Sequence, residues 1–546
     1  MNRRQFILSS AKIISAIALP SFAACRSKPP RQVPFRGSIL GPSPELGHRL
    51  MGGEFPPPSS ESKMPVVIIG GGISGLSAGW KLWKAGFSDF EILEVEPEVG
   101  GVSRPGENRI TAFPWGAHYL PLPTPESRAV RELLEDLGVI EGYNTGGQPI
   151  YQEKYLCFSP QERLFIHGRW QEGILPQLGM SRKDLDQFRT FQETIDRYKQ
   201  RRGRNGQKAF TIPMERSARD RDLLDLDRIS MLEFLKSHNL DSAPLHWYVN
   251  YACRDDYGCS YREVSAWAGL HYFCSRSSDG EKEEATVLTW PEGNGWIVHK
   301  LNHLLRSKIV TKALVYRLEN RGKEVRVDVY HPAENISRRV RAAQVIFACP
   351  RRFARFMFPD SGETNLSCLH DFRYSPWLVA NLSLKSFPEA PSGAPIAWDN
   401  VIYDSPSLGY VVATHQSLKT HIPEMVVTYY HALAWGPVSQ ERTYLLQTPW
   451  RIWADFILKD LSKPHPEISN LVTRLDIFRW GHAMIQPRVG FIWGDSRRQA
   501  ARPRGNIYFA HSDLSGFSIF EEAQYRGVLA AEKVLARHGI PFVSSL

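Results

Sequence analysis

Residues 65–104 read PVVIIGGGISGLSAGWKLWKAGFSDFEILEVEPEVGGVSR. The apolar run at 66–69 has the length and β-branched content of a buried parallel strand. Gly70, Gly72 and Gly75 follow at G-x-G-x-x-G spacing. The first allows a tight strand-to-helix turn, the second lets backbone approach a pyrophosphate, and the third lets helix and strand pack closely. The spacing predicts a helix over 74–85, with Ile73 and Ser74 at its start and its N–H groups and positive dipole end turned to the phosphates. A second strand, expected over 90–95, carries Glu94, 24 positions beyond Gly70. A carboxylate there accepts hydrogen bonds from both ribose hydroxyls and repels a 2′-phosphate. A lone glycine triplet is a weak signal. Strand, glycines, helix, strand and acid in register form a strong one, for a dinucleotide.

Beyond Glu94 comes a second glycine pair, Gly100 and Gly101. The segment from Leu93 to Val102 resembles the L-E-A-x-x-x-x-G-G-R stretch of flavin amine oxidases and their relatives, the protoporphyrinogen oxidases and carotenoid desaturases, with valine in the arginine's place. The resemblance implies FAD rather than NAD, Gly100 and Gly101 at the pyrophosphate, and Arg104 as substitute for the missing arginine.

A chain of 546 residues is long enough for a large core and more than one domain. The hydrophobic fraction of 42% and charged fraction of 23% are ordinary for a soluble globular protein. The net charge of +10 comes from scattered basic residues with no nucleic-acid module, so no nucleic acid is expected as a partner. The first 25 residues, MNRRQFILSSAKIISAIALPSFAAC, pair Arg3 and Arg4 ahead of Phe6 and an apolar run at 13–24. That run is too short to span a bilayer and reads as a signal peptide. It resembles a twin-arginine (Tat) export signal, which implies passage through the Tat machinery to the periplasm. Ala23 and Ala24 before Cys25 resemble a lipoprotein cleavage site, which makes Cys25 a lipidated membrane tether. Cleavage at the nearby small residues, with Cys25 incidental, is the equal alternative. The other six cysteines show no zinc spacing; no metal is expected, and buried free thiols are the simplest reading.

Residues 26–63 are rich in Pro, Gly and Ser and read as a flexible linker. The remainder divides by resemblance into an α/β, Rossmann-type FAD domain built from 64–125, 286–355 and 491–546, interleaved with a mixed α+β substrate domain from 126–285, largely helical, and 356–490. Amphipathic helices are expected over 126–137 and 183–201, the second burying Leu185, Phe188, Phe191 and Ile195, with further helices over 230–275. Residues 312–331 read as a hairpin. Trp115, Gly116 and Ala117 match the family segment that passes the flavin ring, with His118 and Tyr119 directly after as candidate catalytic residues. Val315 falls near the position whose backbone contacts adenine. Residues 506–539 resemble the closing flavin motif, whose final helix aims its N-terminus, near Ile519, at the isoalloxazine. There Ala510-His511-Ser512-Asp513 stands for Ala-Gly-Glu, giving Asp513 the ribityl contact. Arg254, Asp255 and Asp256 read as a helix-end salt-bridge cluster.

Two departures bear on chemistry. The lysine that amine oxidases place beside flavin N5 falls on Trp377 or Leu378, and Lys385 is too far along. The aromatic cage is altered, with Phe517, Ile519 and Phe520 and no tyrosine in the C-terminal segment. No convincing general base stands out among His118, His271, His482 and His511. The expected activity is an FAD-dependent oxidoreductase of the amine oxidase type, passing a hydride from a C–N or C–C centre of a small, partly apolar substrate to flavin N5, with oxygen or another electron acceptor. The alternative is an exported flavin-binding lipoprotein without turnover, acting as a binding or assembly component. An NAD-dependent dehydrogenase is disfavoured by the second glycine pair.

Overall fold

The computed structural model describes residues 34–276, 286–358, 366–389, 392–419 and 422–546. Residues 1–25, on which the signal-peptide and Cys25 readings rest, lie outside the described residues. Among those described, no helix is long and apolar enough to cross a membrane.

The strand predicted at 66–69 is the inner end of a longer one, Pro58–Ile69. Its first half is exposed and polar, and Val66 to Ile69 are buried because parallel strands flank both sides: Phe90–Leu93 and the C-terminal half of Ile336–Phe347. This corrects the linker reading, which ran to residue 63. Pro58–Ile69 already pairs with Ser337 to Arg341, and Ile39–Leu40 forms an edge strand parallel to Ile477 and Phe478. Backbone pairing offered by long neighbouring strands orders a segment whose side chains bury little.

The sheet that contains Pro58–Ile69 has seven strands. Ile309–Val310, Phe90–Leu93, Pro58–Ile69 and Ile336–Phe347 run in that order. The last then branches, its first half pairing with the hairpin Leu314–Asn320/Val325–His331 and its end with Ile507–Phe509. Helix Ile73–Lys84 covers one face and is crossed by the C-terminal helix Phe520–Arg537. That crossing is close. A Cβ on Gly527 would sit 2.2 Å from the Ser74 carbonyl oxygen.

The second half is built on an eight-stranded sheet with Val472–Ile485, Tyr374–Leu384 and Met425–Ala432 at its centre. A helical layer joins it: Arg182–Gln200, Met231–Ser237, Ala243–Tyr257 and Ala266–Cys274. Two of these helices start with reciprocal side-chain caps, Ser181 with Asp184 and Ser230 with Glu233, which satisfy otherwise orphaned N–H groups. Phe188, Phe191 and Ile195 are buried as expected, but Leu185 is 49% exposed. The basic end after residue 199 is a solvated helix end, with Arg201 paired to Asp222 and Arg204 to Asp220. The six described cysteines are all free.

Candidate active site

At the nucleotide end, Gly70 adopts a φ of +103°, and a Cβ there would meet Cys349 Sγ at 2.9 Å. A Cβ at Gly75 would meet the Gly70 carbonyl oxygen at 1.9 Å. In front of Gly72 there is open space, with nothing within 4 Å of an added Cβ. Gly100 N–H donates to the Gly71 carbonyl at 2.8 Å, which brings the Gly100–Gly101 pair against the first glycine turn.

Glu94 sits just past its strand, and its two oxygens accept N–H bonds from Gly71 at 2.7 Å and Glu96 at 2.9 Å. Burial pushes its carboxyl up, against the pull of those donors and of Arg104. Each oxygen keeps a second lone pair for a sugar hydroxyl. The Ala313 N–H donates to the Glu94 carbonyl at 2.8 Å, which places buried Val315 beside the same end.

These residues fit a dinucleotide. Ser74 Oγ, at the helix start, and Arg104 Nε are buried and find no hydrogen-bond partner among the described residues. Arg104 Nη2 stays 3.7 Å from Glu96. Unpaired buried donors beside open backbone at a helix N-terminus suit a diphosphate. Asp513 adds an unpaired acceptor. Its Oδ2 takes the Arg351 N–H at 2.6 Å and the Tyr374 hydroxyl at 2.5 Å, while Oδ1 has no hydrogen-bond partner. His511 Nδ1 lies 3.2 Å from Oδ1 but accepts the Asp513 backbone N–H.

The other end is a cavity between the two halves of the molecule. Val102, Gly116, Ala117, His118 and Tyr119 form one wall, and Ser518, Ile519 and Phe520 at the start of the C-terminal helix another. Ala117 donates to the Val102 carbonyl at 3.0 Å and Asn294 donates to that of Ala117 at 3.1 Å, so the turn before helix Gly295–Leu305 supports the segment. Asn294 Oδ1, buried on the cavity wall, has no partner among the described residues.

The central strands supply Trp377, Tyr430 and Trp480. The Tyr430 hydroxyl donates to the Gly116 carbonyl at 2.9 Å and Trp480 Nε1 to that of Trp115 at 2.6 Å, which fastens the aromatic wall to the opposite half. Trp377, not Leu378, faces the cavity, and beside Phe520 from the C-terminal segment the sheet supplies Trp377, Tyr430 and Trp480, while Phe517 does not line it.

Carboxylates make up the rest. Asp255, Asp256 and Glu521 line the cavity with Arg276, whose guanidinium lies 2.7 Å from Asp256 Oδ1. Burial, with help from the Asp256 charge, pushes Asp255 up to about 7. Burial likewise pushes Glu521 up to about 7 although Arg276 opposes it. His118 stacks on Tyr430 at 4.5 Å, and burial lowers its imidazole to about 4, leaving it neutral at pH 7. Tyr119 is raised by burial and by Asp255 and stays protonated.

The helix-end salt-bridge reading of residues 254–256 holds for Asp256, which pairs with Arg276, and not for Arg254. Arg254 turns away, donating to the carbonyls of Pro406 and Ser407 and lying 4.5 Å over Trp435, while both aspartates face the cavity. Helical spacing carried the signal: Asp255 is one turn on from Tyr251, which packs in the cluster of Trp377, Tyr430 and Trp480. Glu521 is adjacent to residues the sequence had singled out and was overlooked. Of the four histidines, only His118 reaches the cavity: His271 contacts the Thr211 carbonyl in the helical layer, His482 contacts Arg352, and His511 lies beside Asp513.

Residues 68–137 match the model of the NAD(P)-binding Rossmann-like domain family. A stretch of 36 residues is 53% identical to polyamine oxidase 6 of Oryza sativa subsp. japonica, and the match spans 7% of either chain. Among solved structures, the fold is similar to a putrescine oxidase mutant at TM-score 0.64 and 13% identity, covering 87% of this chain and 100% of that one. Cyclohexylamine oxidase from Brevibacterium oxydans IH-35A gives 0.62 at 15% identity, covering 88% and 100%. A fatty acid isomerase from P. acnes that produces CLA gives 0.58 at 16% identity, covering 87% and 98%. These likenesses show the fold, a Rossmann-type α/β half built from discontinuous segments and a second half on a mixed sheet, as in those structures. Relatives of such different chemistry leave the substrate to be argued from the cavity.

Proposed function

We propose that the protein is an FAD-dependent oxidoreductase acting on a small organic cation, an amine oxidised at a carbon next to nitrogen. The observation that carries the reading is the cavity itself, which brings segments 116–118 and 518–520, set beside the flavin by the resemblance, together with Asp255, Asp256 and Glu521. Gly70, Gly72, Ser74, Gly75, Gly100, Gly101 and Arg104 would hold the pyrophosphate, Glu94 the ribose, Val315 the adenine and Asp513 the ribityl chain. Bound there, FAD supplies a two-electron acceptor.

The remaining work belongs to the chain. Arg276 neutralises Asp256. Asp255 and Glu521, with carboxyls near pH 7, exchange protons readily: ionised they hold an ammonium group, and either can take the proton that the substrate nitrogen gives up. Trp377, Tyr430 and Trp480 exclude water and bound the apolar part of the substrate, and neutral His118 offers a hydrogen bond without competing charge. We further read residues 1–25 as a Tat signal, with the folded, cofactor-loaded protein exported.

The folded protein should purify yellow with a flavin absorption spectrum. A colourless protein that cannot be reconstituted with FAD would refute the assignment.

A further inference from the structure

We propose that a second, basic groove binds a small organic polyanion: two or more carboxylate or phosphate groups on a flat apolar body. The groove has a volume of about 1020 Å³ and shares no lining residue with the cavity at the candidate active site. Six arginines line it: Arg262, Arg352, Arg355, Arg373, Arg442 and Arg488. Glu263 is the only acid on its described walls, and it pairs with Arg488. The other five arginines have no acidic partner among the described residues.

Two of these guanidiniums are half-buried and held by neutral groups. Arg442 donates to the carbonyls of Gly481, at 2.6 Å, and Tyr374, at 3.0 Å. Arg352 reaches the His482 ring at 2.8 Å, and its Nε is buried with no described partner. Burial lowers both arginines, each further lowered by a neighbouring guanidinium. Burial and the arginines also drive His482 down to about 2, so it adds no charge. Arg352 and Arg442 set like charges half-buried with no acidic partner among the described residues, which costs free energy, and an anion in the groove offsets that cost.

The walls select for an organic anion. Trp435, 58% exposed, and half-buried Trp247 give the groove its apolar surface, with buried Leu369 and Phe372 behind the wall. Stacking on an indole while arginines hold the charged edges is a recognition mode for flat anions. The volume is at the upper end of small-molecule sites rather than that of a macromolecular face.

The test is calorimetric titration of the full-length, flavin-loaded protein with a benzene tricarboxylate, with neutral benzene trimethanol as control. Saturable one-to-one binding of the tricarboxylate alone is expected, weakening as salt rises. Arg355 and Arg373 are exposed and their side chains hold no described hydrogen bond or ion pair, Arg355 lying only over the neighbouring Phe356 ring, so R355Q/R373Q should keep its flavin spectrum and melting temperature while weakening binding by about tenfold or more. Trp435→Ala should weaken it independently. Absence of saturable binding, or equal affinity in the double variant, would overturn the proposal. So would single-stranded nucleic acid or anionic vesicles binding through these arginines while the tricarboxylate does not. None of these outcomes depends on turnover at the flavin cavity.

Discussion

At the residue scale, two carboxylate sets do different work. Glu94 is fixed by two backbone N–H donors and, in the proposed function, holds the cofactor's ribose. Glu94→Ala removes a charged acceptor and strands both donors, at a cost of roughly 1.5–3 kcal/mol per bond. The variant should lose flavin on gel filtration, and normal flavin content would contradict the ribose assignment. Asp255 and Glu521 line the cavity and, in the proposed function, hold the substrate. Both are raised to about 7, so they are protonated at low pH and ionise as pH rises through 7. kcat/KM for a cationic substrate should therefore climb along a limb with an apparent value near 7. Asp255→Asn should lower kcat/KM roughly ten- to hundredfold and flatten that limb. A limb unchanged in the Asp255→Asn, Glu521→Gln double variant would remove these groups from substrate binding. The same shifts bear on stability. Carboxyls raised in the folded state stabilise it fully at acid pH, and that contribution is lost as pH rises from about 4 through 7.

At the element scale, the local code of the first βαβ unit was readable because each residue has its own backbone reason. Gly70 turns, Gly72 leaves space, Gly75 meets a carbonyl, and the helix starts within one residue of its expected position. What stayed hidden depends on contacts distant in sequence. Pro58–Ile69 begins well before its apolar run because residues 337–341 offer it a partner. Trp377 points at the cavity only once the sheet register is set. Gly527 looks unremarkable in a helical run, yet it lets the C-terminal helix cross the glycine-turn helix. Gly527→Ala forces a Cβ against the Ser74 carbonyl and should cost about 1–3 kcal/mol. The measurable result is a lower melting temperature with weaker flavin retention, and an unchanged melting temperature would show that the crossing is loose.

At the scale of the whole molecule, the two halves meet at the cavity, and hydrogen bonds from Tyr430 and Trp480 to residues 115 and 116 close the seam. The alternation of chain segments between the two sheets was legible from motifs at both ends. The middle was not, because residues 254–256 acquire their role only when their helix is laid beside the sheet. Export is a property of the whole chain: with Arg3 and Arg4 both changed to Lys, the protein should stay in the cytoplasm, and unchanged export would remove the Tat reading. The central claim, a flavin beside a carboxylate-lined cavity that takes cations, is tested most directly by anaerobic reduction. Flavin-loaded protein mixed with a panel of alkylamines and diamines, and separately with polyenes and porphyrinogens, should bleach with an amine and not with the others. Bleaching by a polyene or porphyrinogen while every amine fails would contradict the account.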